Sequence, residues 1–359
     1  MKKSLLTLAV LSAAGAAQAQ SNVTMYGLLD AGVEYTNHAN ATQGSLTRVT
    51  SGGTNTSRFG FKGSEDLGDG MKAVYQLEGG IFIDQGISDG VLFKRQANVG
   101  LEGAFGRVVA GRSYTTSYDF MLPFDPMGYA PEYSWVTSGN GTGVSKYGMP
   151  TAFDNIIKYQ GEFSGFKLGA SVGLGEQAGS TADSAKYNLG LGYESGPFSI
   201  ATTYDRQNGN TVAATGDRNK TTTIHLGAAY KVANDVTIRG GYRNYKLVSA
   251  AATRPADVRA DMYWGGVTYQ ATPVVGLTGA VYYQNVKNVA PGTDADPIMY
   301  VLQAKYTLSK RTFLYAATAY AKAKHNQLVG LTRDSTADGG VSGFASNQTG
   351  VMVGMQHRF

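Results

Sequence analysis

A two-residue rhythm of apolar and polar side chains, broken and restarted about sixteen times, governs what this chain can fold into. The first run spans Asn22 to Tyr35. Val23, Met25, Gly27, Leu29, Ala31, Val33 and Tyr35 share one side, while Thr24, Tyr26, Leu28, Asp30 and Glu34 mostly share the other. Side chains on a strand point to opposite faces in turn, so such alternation marks a strand that separates two media. Comparable runs of about ten residues follow to the C-terminal Phe359. Tight turns (67–70 with Asp69-Gly70, 162–165, 195–197, 232–235, 271–274, 308–311) alternate with long connections (37–55, 113–152, 175–184, 207–219, 247–257, 287–296, 323–347). Asp-Gly is a strong two-residue hairpin signal.

The charges decide which media are separated. Near 240, Thr237, Arg239 and Arg243 oppose Val236, Ile238 and Tyr242. In the last run, Val351, Val353 and Met355 alternate with Gly350, Gly354, Gln356 and Arg358. Arginine-bearing faces converging on a dry core would carry a large desolvation cost. A wet lumen removes that cost, and about sixteen strands is the size that encloses an aqueous channel. A soluble sandwich has no reason to put its short turns at one end and its long loops at the other, whereas a transmembrane β-barrel does. The 48 glycines, 23 tyrosines and 9 prolines suit this architecture, with tyrosines available for interfacial girdles. The expected fold is therefore all-β, a 16-stranded antiparallel transmembrane barrel.

Export is written at the N-terminus. Lys2 and Lys3, the apolar run Leu5 to Ala16 and the Ala17-Gln18-Ala19 site predict a signal peptide over 1–19, leaving 20–359 as the barrel. Formal net charge is +5, or +3 once the two signal lysines are gone, with no basic block, so nucleic acid is not an expected partner. With no cysteine, disulfides and Cys-type zinc sites are excluded.

One stretch breaks the rhythm. Gly111 to Phe153 contains Pro123, Pro126 and Pro131 among clustered aromatics. Long loops without secondary structure are usually functional or disordered, and disordered segments are poor in aromatics. An ordered loop packed against the rest of the chain is expected.

Six stretches then carry a resemblance: VTMYGLLD (23–30), TSRFGFKGSEDLGDG (56–70), FKRQANVGLEGAFGRVVAGR (93–112), NIIKY (155–159), LSKRTFLY (308–315) and GVMVGMQHRF (350–359). Together they resemble the Gram-negative general porins of the β-proteobacterial type. The resemblance implies a homotrimer in the outer membrane among lipid and lipopolysaccharide, passing small hydrophilic solutes and ions. It also implies that the third long loop, 113–152, folds into the pore as a constriction. Arg58 and Arg95 fall where the family places arginines on the barrel wall. Parity agrees for Arg58, opposite Phe59 and Phe61, but for the next strand it selects Lys94, Gln96 and Asn98 rather than Arg95. Ala152 stands where the family usually has a third arginine. Lys72 and Lys158 face inward by parity, and Asp119, Asp125 and Glu132 supply acids from the loop. A positive wall against an acidic loop would set ion preference; modest or no anion preference is expected.

No catalytic pattern is legible. His38, His225, His325 and His357 are scattered without ligand spacing, so neither an enzyme nor a cofactor is expected. The alternative to a general channel is a substrate-specific one for sugars or organic and aromatic acids, in which loop rings such as Tyr114, Tyr118, Phe120, Phe124 and Tyr129 would line a slide.

Overall fold

The computed structural model describes residues 22–359 except 40–43, 139, 143–146, 254, 291 and 333–342. The expected signal peptide, 1–19, lies outside the described residues. Of nineteen strands, Leu46–Ser51, Ile87–Ser88 and Thr293–Ala295 are short additions, which leaves sixteen staves. In chain order these are β1 (Asn22–Thr36), β2 (Arg58–Gly68), β3 (Met71–Phe82), β4 (Gln96–Gly103), β5 (Gly106–Tyr114) and β6 (Ala152–Phe163). Next come β7 (Phe166–Gly173), β8 (Lys186–Ser195), β9 (Phe198–Thr211), β10 (Arg218–Ala233) and β11 (Val236–Val248). The last are β12 (Val258–Gln270), β13 (Val275–Ala290), β14 (Ile298–Thr307), β15 (Thr312–Lys322) and β16 (Asn347–Arg358).

Each stave pairs antiparallel with its neighbour, and β1 pairs with β16 from Leu28↔Arg358 to Thr36↔Gly350. The sheet is thereby a closed barrel. The terminal Phe359 completes the seam, because its backbone N–H and C=O both bond Gly27 at 3.1 Å. Closure gives each of the sixteen staves a neighbour on both sides, which a structure in lipid requires. The connection 37–55 is not entirely irregular: Leu46–Ser51 folds back onto the upper half of β1, Ala31↔Ser51 to Thr36↔Leu46.

The alternation read from the sequence is the alternation of exposure. On β16, Val353 is 54% and Met355 49% exposed while Gln356 between β1 and β15 is 1% exposed. On β1, Leu29, Val33 and Tyr35 are exposed and Asp30 and Glu34 buried. The outer surface is thus apolar and the inner one polar, the reverse of a soluble protein.

Inside lies the hydrophobic cluster that a hollow barrel would otherwise lack, and residues 116–136 supply much of it. A short helix, α1 (Thr116–Met121), is capped by the Thr115 side chain, which accepts from the Tyr118 N–H at 3.0 Å. Pro123 begins the 3₁₀ turn Leu122–Phe124, and the chain then runs to Trp135. Every anchor meets the unexposed face of the barrel. Ser117 bonds Asp205 on β9. Trp264 on β12 donates to the Phe124 carbonyl at 3.0 Å, and Tyr282 on β13 donates to Asp125 at 2.6 Å. Tyr133 donates to Glu34 on β1 at 3.1 Å.

Recesses in the wall receive the loop. A Cβ added at Gly169, Gly190, Gly227 or Gly266 would sit between 2.5 and 2.7 Å from atoms of Thr116, Phe120, Phe124 or Pro126. Gly227→Leu is therefore expected to push Phe124 off the wall. Single-channel conductance should change, and stability should fall by about 1–3 kcal/mol through overpacking. Unaltered conductance would show that the loop does not rest there.

Candidate functional site

The densest group of interacting charges centres on Glu78 of β3. Arg95 Nε donates to its Oε1 at 2.8 Å and the Tyr114 hydroxyl donates to the same oxygen at 2.6 Å. Tyr26 donates to Oε2 at 2.8 Å and receives a bond from Gln76 at 2.6 Å. Arg58 Nε lies 3.9 Å from Oε2, with its terminal nitrogen held by Asn55 at 2.7 Å. One carboxylate thus holds two guanidinium groups, one from the start of β2 and one from the turn before β4. Arg95 also lies 5.4 Å from the Tyr114 ring centre, an additional cation–π attraction.

Arg95 owes its direction to where β4 begins. From Gln96 onward the inward residues are Gln96 and Asn98 and the outward ones Val99 and Leu101, as parity requires. Arg95 precedes the strand, in a turn where Lys94 N–H bonds Val91 O at 3.0 Å and Arg95 N–H bonds Glu78 O at 3.2 Å. Alternation does not extend into that turn, so both Lys94 and Arg95 point to polar partners. Lys94 meets Asp89 at 2.5 Å.

Arg112 on β5 was not singled out by the sequence. It bonds the Lys94 carbonyl and pairs with Asp154 on β6. A cavity of about 310 Å3 is lined by Arg95, Arg112, Tyr114, Tyr118 and Ala152. Where a third arginine was expected at 152, the guanidinium beside that position comes from the neighbouring strand.

The remaining residues do not join this group. Lys158 on β6 is 2% exposed, pairs with Asp119 of α1 and donates to the Tyr114 carbonyl at 2.9 Å. Gln160 also reaches Asp119, at 2.9 Å. Lys72 is exposed beside the tight turn of β2 and β3, lining a separate cavity of about 230 Å3 with Lys62, Gln76 and Arg107. Asp125 and Glu132 do not face Arg58. Asp125 is 3% exposed and accepts from Tyr282, from Ser134 at 2.8 Å, and from the N–H groups of Met127 and Tyr129 at 3.2 and 2.7 Å. Burial raises its carboxyl above the usual carboxylate range, against the pull of those donors. Glu132 is buried beside Arg48, 3.7 Å away on Leu46–Ser51. Their positions follow from packing: Asp125 gathers three donors of its own loop and one of β13, and Glu132 meets Arg48. Phe124 and Tyr129 are likewise largely buried at the loop–wall interface, although Tyr129 borders the cavity beside Arg95 and Phe124 a second one beside Asp119 and Phe120.

Glu78 was legible as an inward residue of β3, sharing a face with Lys72 and Gln76, but nothing in its sequence surroundings marks it as the meeting point of two arginines.

A sequence profile described as Gram-negative porin matches residues 6–326. The chain belongs to the Gram-negative porin family. The porin is 34% identical to outer membrane porin protein 32 of Delftia acidovorans across the whole of both chains. It is 31% identical to major outer membrane protein P.IB of Neisseria lactamica, over 87% of this chain and 91% of that one. Among solved structures, the anion-selective porin from Comamonas acidovorans superposes with a TM-score of 0.80 at 28% identity, covering 95% of this chain and 100% of that one. The porin is an outer-membrane protein whose apolar outer face meets lipid and whose staves enclose a polar channel.

Proposed function

We propose that this porin is a general diffusion channel whose narrowest part lies between the loop 113–152 and the wall carrying Arg58, Arg95 and Arg112. Solutes cross it down their concentration gradients. The observation that carries this reading is the inner-face anchoring of the loop by Ser117, Phe124, Asp125 and Tyr133, which leaves it beside the Arg58–Glu78–Arg95 group. Small ions and hydrophilic solutes pass because contacts with such a rim are weak and multiple. The arrangement provides binding and steering of charge, not bond chemistry, so the protein acts as a channel rather than an enzyme.

Anion preference is the favoured direction. Two of the three loop acids expected to offset the wall cations, Asp125 and Glu132, are buried in packing. The relative from Comamonas acidovorans is described as anion-selective, which agrees. A reversal potential measured in planar bilayers across a salt gradient should show anions crossing faster than cations. A cation-selective potential overturns the proposal.

Oligomerisation is inferred from the outer surface. An apolar hollow of about 780 Å3 opens there at the seam, lined by Ala31, Val33, Val49, Ala316, Val353 and Met355. Apolar side chains on a barrel can face lipid, lipopolysaccharide acyl chains or a second barrel, and a homotrimer would seat a second barrel against this hollow. Unheated protein should migrate as a trimer on a denaturing gel and collapse to a monomer on boiling; heat-insensitive monomer migration contradicts this.

A further inference from the structure

Away from the Glu78 group, a second set of polar side chains is sealed between the loop and the far wall. Pairing aligns His225, Arg243, Met262 and Gln284 across β10, β11, β12 and β13: His225↔Arg243, Arg243↔Met262 and Met262↔Gln284. All four point inward and none is more than 1% exposed. The loop covers them. Arg243 gives one terminal N–H to the Val136 carbonyl at 2.6 Å, and Gly141 backs onto Gln284, where an added Cβ would lie 2.9 Å from Nε2.

What distinguishes this row is how much of it is unsatisfied. Arg243 Nε and its second terminal nitrogen, His225 Nε2, and both polar atoms of the Gln284 amide are buried without a hydrogen-bond partner among the described residues. His225 Nδ1 is committed to Thr203 at 3.0 Å with the Asp205 carboxylate 3.5 Å away, which leaves Nε2 as its unpartnered atom. No carboxylate among the described residues forms an ion pair with Arg243. A buried guanidinium without a counter-charge is strongly unfavourable, and buried donors left unmade are costly too. Directly opposed residues on adjacent strands stand about 5 Å apart at Cβ, so Arg243 is flanked by His225 on one side and, across Met262, by Gln284 on the other. Water would answer the hydrogen bonds but not the charge. A compact anion answers both.

We propose that the row binds one small monovalent inorganic anion of the chloride type, held by Arg243 with support from Gln284 and His225. The ion sits behind the loop, out of the conduction path, and compensates the buried arginine to which the loop is tied through Val136. It is a structural ion that couples loop seating to halide.

The test uses the detergent-purified full-length mature porin. Crystals soaked in bromide should give an anomalous peak within hydrogen-bond reach of Arg243 Nε and the Gln284 amide. A map with no bromide in that space, or with ordinary water there, overturns the proposal. In parallel, the wild-type protein should unfold several degrees higher in sodium chloride than in sodium gluconate at equal ionic strength, and Arg243→Met should lose that difference. A difference of the same size in Arg243→Met also overturns it. Should the variant not assemble, the bromide map of the native chain decides alone.

Discussion

Glu78→Gln is expected to raise the anion-to-cation permeability ratio roughly three- to four-fold at about 0.1 M salt. An ion passing at about 6 Å from one charge in water experiences about 0.7 kcal/mol, of opposite sign for the two ion classes. Screening over a Debye length of about 10 Å halves that, and the ratio compares both classes, which gives the factor stated. The expected effect rests on the local geometry. Glu78 is the carboxylate bonded to Arg95 and close to Arg58, so its loss leaves two guanidinium groups uncompensated at one point of the wall. Glutamine keeps one acceptor oxygen for Tyr114 and turns its amide N–H toward the Tyr26 hydroxyl, which must then accept rather than donate. Glu78→Asp, which retains the charge, should stay close to wild type. A reversal potential identical in Glu78→Gln and wild type would show that permeating ions do not sense this group.

Asp125→Ala should detach the loop without dismantling the barrel. The carboxylate accepts from Tyr282, Ser134, Met127 and Tyr129, all buried, and alanine leaves the four donors with nothing. Loss of one side of such a buried arrangement costs about 3–5 kcal/mol. That energy belongs to the folding of the loop on itself, through Met127, Tyr129 and Ser134, and to its one tie to β13 through Tyr282, whereas the staves are held by ladders closed through β1 and β16. The expected readout is a noisier, larger single-channel conductance together with an undiminished yield of folded barrel on a semi-native gel. Asp125→Asn, which keeps one acceptor oxygen, should lie between. Quiet channels of wild-type conductance in Asp125→Ala would mean that the remaining anchors at Ser117, Phe124 and Tyr133 suffice.

The barrel was legible because its determinant is local. A residue's face depends only on its count along a strand, and the charged face at Arg239 and Arg243 fixed which side turns inward, although Arg243 itself is sealed under the loop. The site was less legible because it is built where counting stops. Arg95 lies one residue before its strand, in a turn that reverses its parity. Asp125 and Glu132 were expected as loop acids opposite the wall cations, yet packing buries both: Asp125 gathers three donors of its own loop and Tyr282 of β13, and Glu132 lies beside Arg48. For Asp125 a signal existed: in Asp-Pro-Met-Gly an aspartate commonly accepts the N–H groups that follow it, and here it takes those of Met127 and Tyr129. Arg112 escaped notice because the family pattern directs attention to position 152, and only cross-strand pairing reveals that the neighbouring strand reaches the same space.

The glycine recesses at 169, 190, 227 and 266 have a consequence for anyone who would redesign this pore. They lie on β7, β8, β10 and β12, far along the chain from the loop whose rings and proline they admit. The loop is consequently not an exchangeable cassette. A constriction segment transplanted from another barrel would arrive with bulk in other places and meet walls hollowed for Phe120, Phe124 and Pro126. Grafts of this segment have to move the hollows together with it, so the unit that must be exchanged is the loop plus four distant strand positions.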